Sequence, residues 1–165
     1  MHKKIRLLIL TSVIVGMMTA ILWALNLQTP KFLGREGVVL QEHKNDCGIA
    51  AVKNVLHRLK VSFEGLDTLL YASESGVNLL EIKNTLHAKG LYARGYKTTI
   101  NELSNLPTPM IAHFNKNHFV VIESVSESEL VVIDPAIGKL NYPKKAFEAR
   151  WEGIVLCIDS TISTK

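Results

Sequence analysis

The chain has 165 residues, enough for one domain and an appendage but not for two full domains. Its formal net charge of +4 comes from Lys3, Lys4, Arg6 and Lys31, and from Gly34 onward Lys plus Arg equal Asp plus Glu in number. No basic stripe indicates nucleic-acid binding, and two widely spaced cysteines, Cys47 and Cys157, without a second Cys/His cluster speak against a zinc site. In chain order, residues 7–30 carry no charged side chain and are long enough to span a bilayer, which takes about 20 apolar residues. Trp23 suits an interfacial anchor, and the three basic residues ahead of the span predict a cytoplasmic N-terminus with the rest of the chain extracytoplasmic. The alternative is a cleaved signal peptide. Its apolar part would be longer than usual and no clean Ala-x-Ala site follows, so an uncleaved anchor over 1–29 is the preferred reading. Residues 30–37, rich in turn formers and charge, are expected to be a linker, and 38–160 a single domain.

The string Gln41-Glu-His-Lys-Asn-Asp46-Cys47-Gly48 stands directly ahead of a helical pattern in which Ile49, Val52, Leu56 and Leu59 recur at helical spacing. Asn45 and Asp46 are good N-cap residues, and Gly48 is small enough to let a substrate approach. A thiol at a helix N-terminus meets unpaired N–H groups and a favourable dipole, which lower its pKa and expose the nucleophilic thiolate. The bland alternative is a buried, inert cysteine. Gln41 offers a side-chain amide that could donate to a developing oxyanion.

Further along, Ser62–Tyr71 and Asn78–Lys89 read as helices, the second with Gly90 as its C-terminal glycine. Tyr92–Lys97 reads as a strand, and Thr99 to Glu102 has capping-box spacing that suggests a short helix. Met110–Phe114, His118–Ile122, Leu130–Asp134 and Lys139–Tyr142 read as strands. Pro143–Arg150 reads as a short helix with proline in its first turn, and Gly153–Ile158 as a last strand that buries Cys157. Helices first and strands later give an α+β domain.

Six histidines occur. His2 precedes the apolar span, His57 and His87 sit among charged helical neighbours, and His113 reads as structural. His43, in the loop before Cys47, could flank a site there. His118 opens a strand that a polar turn joins to Leu130–Asp134, as in a hairpin. With the turn centred near Ser126, His118 falls opposite Asp134, where a carboxylate can fix the imidazole tautomer and support the imidazolium.

Taken together, Gln41, Asp46-Cys47-Gly48 with Ala50, His118-Phe-Val-Val and Val132-Ile-Asp134-Pro135 resemble the bacteriocin-processing cysteine peptidases, the double-glycine leader peptidases with a papain-like fold. The resemblance spans roughly residues 36–158. It implies Cys47 as nucleophile, His118 as general base and acid, Asp134 as its orienting carboxylate, and Gln41 with the Cys47 N–H as oxyanion hole. It also implies a peptide or protein substrate cut after Gly-Gly and no cofactor or metal. The best-known members are N-terminal domains of long ABC exporters, whereas this chain has no Walker-type loop. The expectation is therefore a stand-alone, membrane-anchored form, with a separate export machine as a possible partner. Two other functions stay open: another papain-like hydrolase or transglutaminase acting on cell-envelope peptides, and a catalytically idle module that binds leader peptides.

Overall fold

The computed structural model describes residues 2–26 and 29–159. The side chain of Trp23 and residue 160, the expected domain end, lie outside the described parts. The first helix, α1 (His2–Asn26), is apolar on all sides and long enough to cross a membrane by length and composition; its 25 residues rise about 1.5 Å each, more than the roughly 30 Å of a bilayer core.

The rest of the chain is organised on an antiparallel sheet of β1 (Lys31–Gly34), β2 (Tyr92–Lys97), β3 (Met110–Phe114), β4 (His118–Val125), β5 (Glu129–Asp134), β6 (Gly138–Pro143) and β7 (Trp151–Asp159). The strand order is β1-β6-β5-β4-β3-β7-β2. Residues 31–34, expected as linker, instead pair with β6, Lys31 facing Asn141 and Phe32 facing Leu140. Gly138 makes this edge possible: its φ is +131°, and a Cβ there would stand 2.7 Å from the Gly34 carbonyl oxygen. Short, charged segments are suited to such an edge, and the turn-forming composition of 30–37 hid it.

Two cores lie on the two faces of the sheet. Helix α2 (Cys47–Arg58) covers the centre, burying Ala51, Val52, Val55 and Leu56 against Ile111, Val121 and Ile133. The opposite face packs Phe114, Tyr142, Phe147 and Trp151 under the short α5 (Lys144–Glu148). Pro143 stands at the N-cap of α5, not inside its first turn. Where a helix was expected over Ser62–Tyr71, only α3 (Leu66–Leu69) forms. The expected second helix is α4 (Leu79–Ala88), closed by a capping box between Asn78 and Glu81 and followed by Gly90 at φ +80°. After β2, the Glu102 carboxylate accepts from the Thr99 N–H and hydroxyl, and the following helical piece is a single 3-10 turn, Leu103–Asn105.

The β4–β5 register differs from the expectation. Val121 pairs with Ile133 and Ile122 with Val132, so the next step along places Val120, not His118, opposite Asp134. The hairpin closes through Ser126 N–H to the Glu129 carbonyl, with the Ser126 hydroxyl accepting from the Glu129 N–H. The turn is thus centred past Ser126, and a bulge between Ile122 and Ser124 absorbs one residue. The resulting offset of two residues preserves the face, where an offset of one would have reversed it.

Candidate active site

Cys47 is the first residue of α2 and is 7% exposed. Asp46 stands at the N-cap, but its side chain does not cap the helix; Oδ2 accepts from the N–H groups of Glu42 and His43 at 3.1 and 3.0 Å. Asp46 therefore braces the loop before the cysteine rather than capping the helix. Gly48 has a packing role: a Cβ on it would collide with Val77 and crowd Phe119. Only glycine lets the start of α2 approach that wall.

His118, the first residue of β4, donates from Nε2 to Asp134 Oδ1 at 2.7 Å, with Asp134 5% exposed. The carboxylate also accepts from the Ala136 N–H at 2.9 Å, which fixes its own orientation. With Nε2 engaged, Nδ1 is the ring nitrogen left for the thiol, whose Sγ lies 4.0 Å from the carbonyl oxygen of Asn117, the residue before His118. Burial alone would raise the Cys47 pKa; the His118 hydrogen bond, the Phe119 N–H, the imidazolium charge and the Gly48 N–H outweigh it and hold it below the ordinary thiol value. Burial would lower the His118 pKa, but the hydrogen bonds to Asp134 and Cys47 and their charges push it up to about 9. The two shifts run in the direction of a thiolate–imidazolium pair. Cys157, also a free cysteine, lies in the core with its pKa pushed up to about 11 by burial. The same residue type is poised at one position and inert at the other.

Gln41 is brought near by backbone anchors. Its N–H donates to the Pro135 carbonyl at 2.9 Å, one residue beyond Asp134. Two residues earlier, Val39 is clamped by buried Asn54 of α2, whose side chain accepts from the Val39 N–H at 2.9 Å and donates to the Val39 and Ala50 carbonyls at 2.7 and 2.8 Å. The Gln41 amide donates from Nε2 to the His43 carbonyl at 2.8 Å, while its Oε1 is buried without a partner. The structure thus pairs His118 with Asp134 by a hydrogen bond, sets Cys47 against the residue before His118, and ties the Gln41 loop to the Asp134 turn and to α2. His43 remains exposed beside Asp46 at 3.6 Å.

The thiol opens into a cleft of about 810 Å³. One wall is the Glu74–Leu79 segment and the other carries His113, Asn117 and Phe119. Sequence reasoning missed this lining. Asn45 holds the first wall by donating to the Ser73 carbonyl at 2.7 Å; the Ser-Glu-Ser-Gly turn signal at 73–76 was the clue. His113 bonds Glu152 at 2.9 Å and packs against Phe119; nothing in its strand pattern marked it as cleft lining.

The Peptidase C39 family model matches residues 35–163. The chain belongs to the peptidase C39 family. A protein of Methanothermobacter thermautotrophicus is 31% identical over 129 residues, 77% of this chain and 91% of that protein. The lactococcin-G-processing and transport ATP-binding protein LagD of Lactococcus lactis is 28% identical, but the match takes in 72% of this chain and only 18% of LagD. Among solved structures, a double glycine motif protease from an AMS/PCAT transporter, crystallised with its leader peptide, superposes with a TM-score of 0.68 at 30% identity, covering 78% of this chain and 96% of that one. The C39 peptidases are cysteine peptidases of papain-like fold, and the mixed helix and antiparallel sheet described above is that fold.

Proposed function

We propose that this C39 peptidase is a membrane-anchored endopeptidase that cleaves a leader peptide after a Gly-Gly pair. The observation that carries the reading is the His118–Asp134 pair, Nε2 at 2.7 Å from the carboxylate, with Cys47 at the start of α2 held against Asn117, the residue before that histidine. The Cys47 thiolate attacks the scissile carbonyl carbon, forming a C–S bond and moving the carbonyl electron pair onto oxygen. The Cys47 N–H and the free N–H of the Gln41 amide stabilise that oxyanion. Its collapse breaks the C–N bond, and the leaving amine takes its proton from the His118 imidazolium. Water, deprotonated by His118, then attacks the thioester and the C–S bond breaks, returning the thiolate beside the imidazolium. Asp134 keeps the imidazole in the tautomer and orientation this cycle needs.

Gly-Gly specificity is supported by the double glycine motif protease among the structural relatives and by the cleft that opens beside the thiol. A module that only bound leader peptides would use the cleft but have no need of a poised thiolate. The anchor is α1, and Lys3, Lys4 and Arg6 keep its N-terminus in the cytoplasm, so the peptidase domain is extracytoplasmic. Precursor peptides containing Gly-Gly, incubated with the purified, reduced full chain in detergent, should be cut after the second glycine, as read by mass spectrometry, and Cys47→Ala should leave them intact. Folded protein that reacts at Cys47 with an alkylating probe yet cuts no Gly-Gly peptide would sink the specificity.

A further inference from the structure

The edge strand β1 presents a group of exposed apolar side chains that the peptidase reading does not use. Phe32, Leu33 and Ile137 are 57%, 53% and 42% exposed. Phe32 and Ile137 belong to one surface, and Leu33 follows Phe32 on the same edge strand. Phe32 reaches over Gly138, since a Cβ on that glycine would stand 3.0 Å from the Phe32 ring, and the Arg35 side chain lies at the same distance. Arg35 also donates from Nε to the Ile137 carbonyl at 3.0 Å. Basic residues bracket the group: Lys31 on one side and Arg35 on the other, both exposed, with the acid Glu36 next in sequence. Apolar side chains framed by Lys and Arg are the composition of an interfacial surface, where the apolar groups enter the acyl boundary and the cations meet phosphates.

Chain length identifies the occupant. The helix α1 ends at Asn26 and β1 begins at Lys31. Five peptide steps span at most about 18 Å, since a fully extended chain advances no more than about 3.6 Å per residue. Whatever bilayer α1 crosses, β1 is the part of the domain tethered next to it, and the apolar group stands within that reach. We infer that the β1 edge, with Phe32, Leu33 and Ile137 inserted and Lys31 and Arg35 on headgroup phosphates, docks the domain on the surface of the same bilayer.

This inference rests on the reading of α1 as a membrane anchor. The docked edge also carries the β5–β6 turn, whose Pro135 carbonyl holds the Gln41 backbone and whose Ala136 N–H orients Asp134. Docking therefore fixes the side of the active site from which the bilayer is met, and the substrate class becomes peptides presented at a membrane surface.

The test uses the full chain reconstituted in vesicles of phosphatidylethanolamine and phosphatidylglycerol. In a Cys47→Ala background, Leu33→Cys is labelled with an environment-sensitive fluorophore; Leu80→Cys, at an exposed apolar position on α4, is the control. Lipids carrying a shallow quencher should quench the probe at 33 strongly, at a depth of about 5–10 Å as for interfacial segments, with a blue shift absent at 80. Equal quenching at the two positions in protein that resists carbonate extraction overturns the docking and leaves the anchor intact. Protein that carbonate removes overturns the anchor reading, and docking with it. An unquenched probe at 33, with Leu33→Cys crosslinking between two chains, assigns the edge to a second copy and likewise overturns the inference.

Discussion

Asp134 lies opposite Val120, two residues along β4 from His118, yet accepts the His118 Nε2–H at 2.7 Å. The pair is a diagonal neighbour on one face of the hairpin, a geometry that long side chains bridge. Strand alternation puts both residues on the face of Val120 and Val132, not that of Phe119 and Ile133, which pack under α2. The dyad stands at the strand ends, and the N-terminus of α2 meets it there.

From that geometry, Asp134→Asn should keep the fold and slow turnover. The amide can present an N–H to the ring and favour the wrong tautomer. In a serine protease the equivalent change costs about four orders of magnitude. A thiolate already paired with imidazolium needs less help from a base, so the loss here should be roughly 10- to 1,000-fold. Steady-state cleavage of a Gly-Gly peptide, with circular dichroism to verify folding, measures it; wild-type rates in folded protein would remove Asp134 from the mechanism.

The pH dependence follows from the two shifts. His118 is raised to about 9, so what its partners contribute to stability is complete below the ordinary histidine pKa and is lost as pH rises through about 9. Cys47 is lowered, so the thiolate persists below the ordinary thiol range and is lost as pH falls through its depressed value. The two groups titrate as a pair. The rate should therefore form a bell whose alkaline limb lies near 9 and whose acid limb lies below the ordinary thiol pKa. An alkaline limb near the ordinary histidine pKa would contradict the Asp134 coupling.

How much of this was legible in the sequence divides by physical cause. The strands over Tyr92–Lys97 and Met110–Phe114 and the helix opening at Cys47 follow from local periodicity and appear as read, although Asp46 stands at the N-cap without a side-chain capping bond. The hairpin register was not legible, because the turn's centre is chosen by Ser126–Glu129 hydrogen bonds and the bulge after Ile122. Strand β1 was hidden because pairing with β6 depends on distant Gly138 and not on its own four residues. The His118–Asp134 pairing was legible through chemistry that only certain residue types can perform. Asn54 was missed because a buried amide inside an amphipathic helix looks like any polar position until the loop it holds is seen.

Alkylation separates the two cysteines. In the folded, reduced chain a neutral haloacetamide should label Cys47 far faster than Cys157, since one pKa is depressed beside His118 and the other is pushed up to about 11 in the core. Peptide mapping after brief exposure reads the ratio. Equal labelling would show that Cys47 has no thiolate advantage.

Asn54 and Gln41 should separate positioning from chemistry. Asn54→Ala removes the bonds to the Val39 backbone and to the Ala50 carbonyl, leaving part-buried Val39 groups unpaired at a cost of at most about 1–3 kcal/mol each. The midpoint of thermal unfolding should fall, and kcat should fall with it because the Gln41 loop loses one of its two anchors. Gln41→Ala leaves those bonds in place and removes the side-chain amide alone. It should lower kcat by roughly 100- to 1,000-fold, the range for loss of one oxyanion donor, with KM nearly unchanged because the interaction exists only in the transition state. Its stability should change little, since the amide it removes leaves its own Oε1 unpartnered in the native structure. A Gln41→Ala protein with wild-type kcat would assign the oxyanion to backbone N–H groups alone, and the loop anchored by Asn54 and Pro135 would then serve the fold and not the reaction.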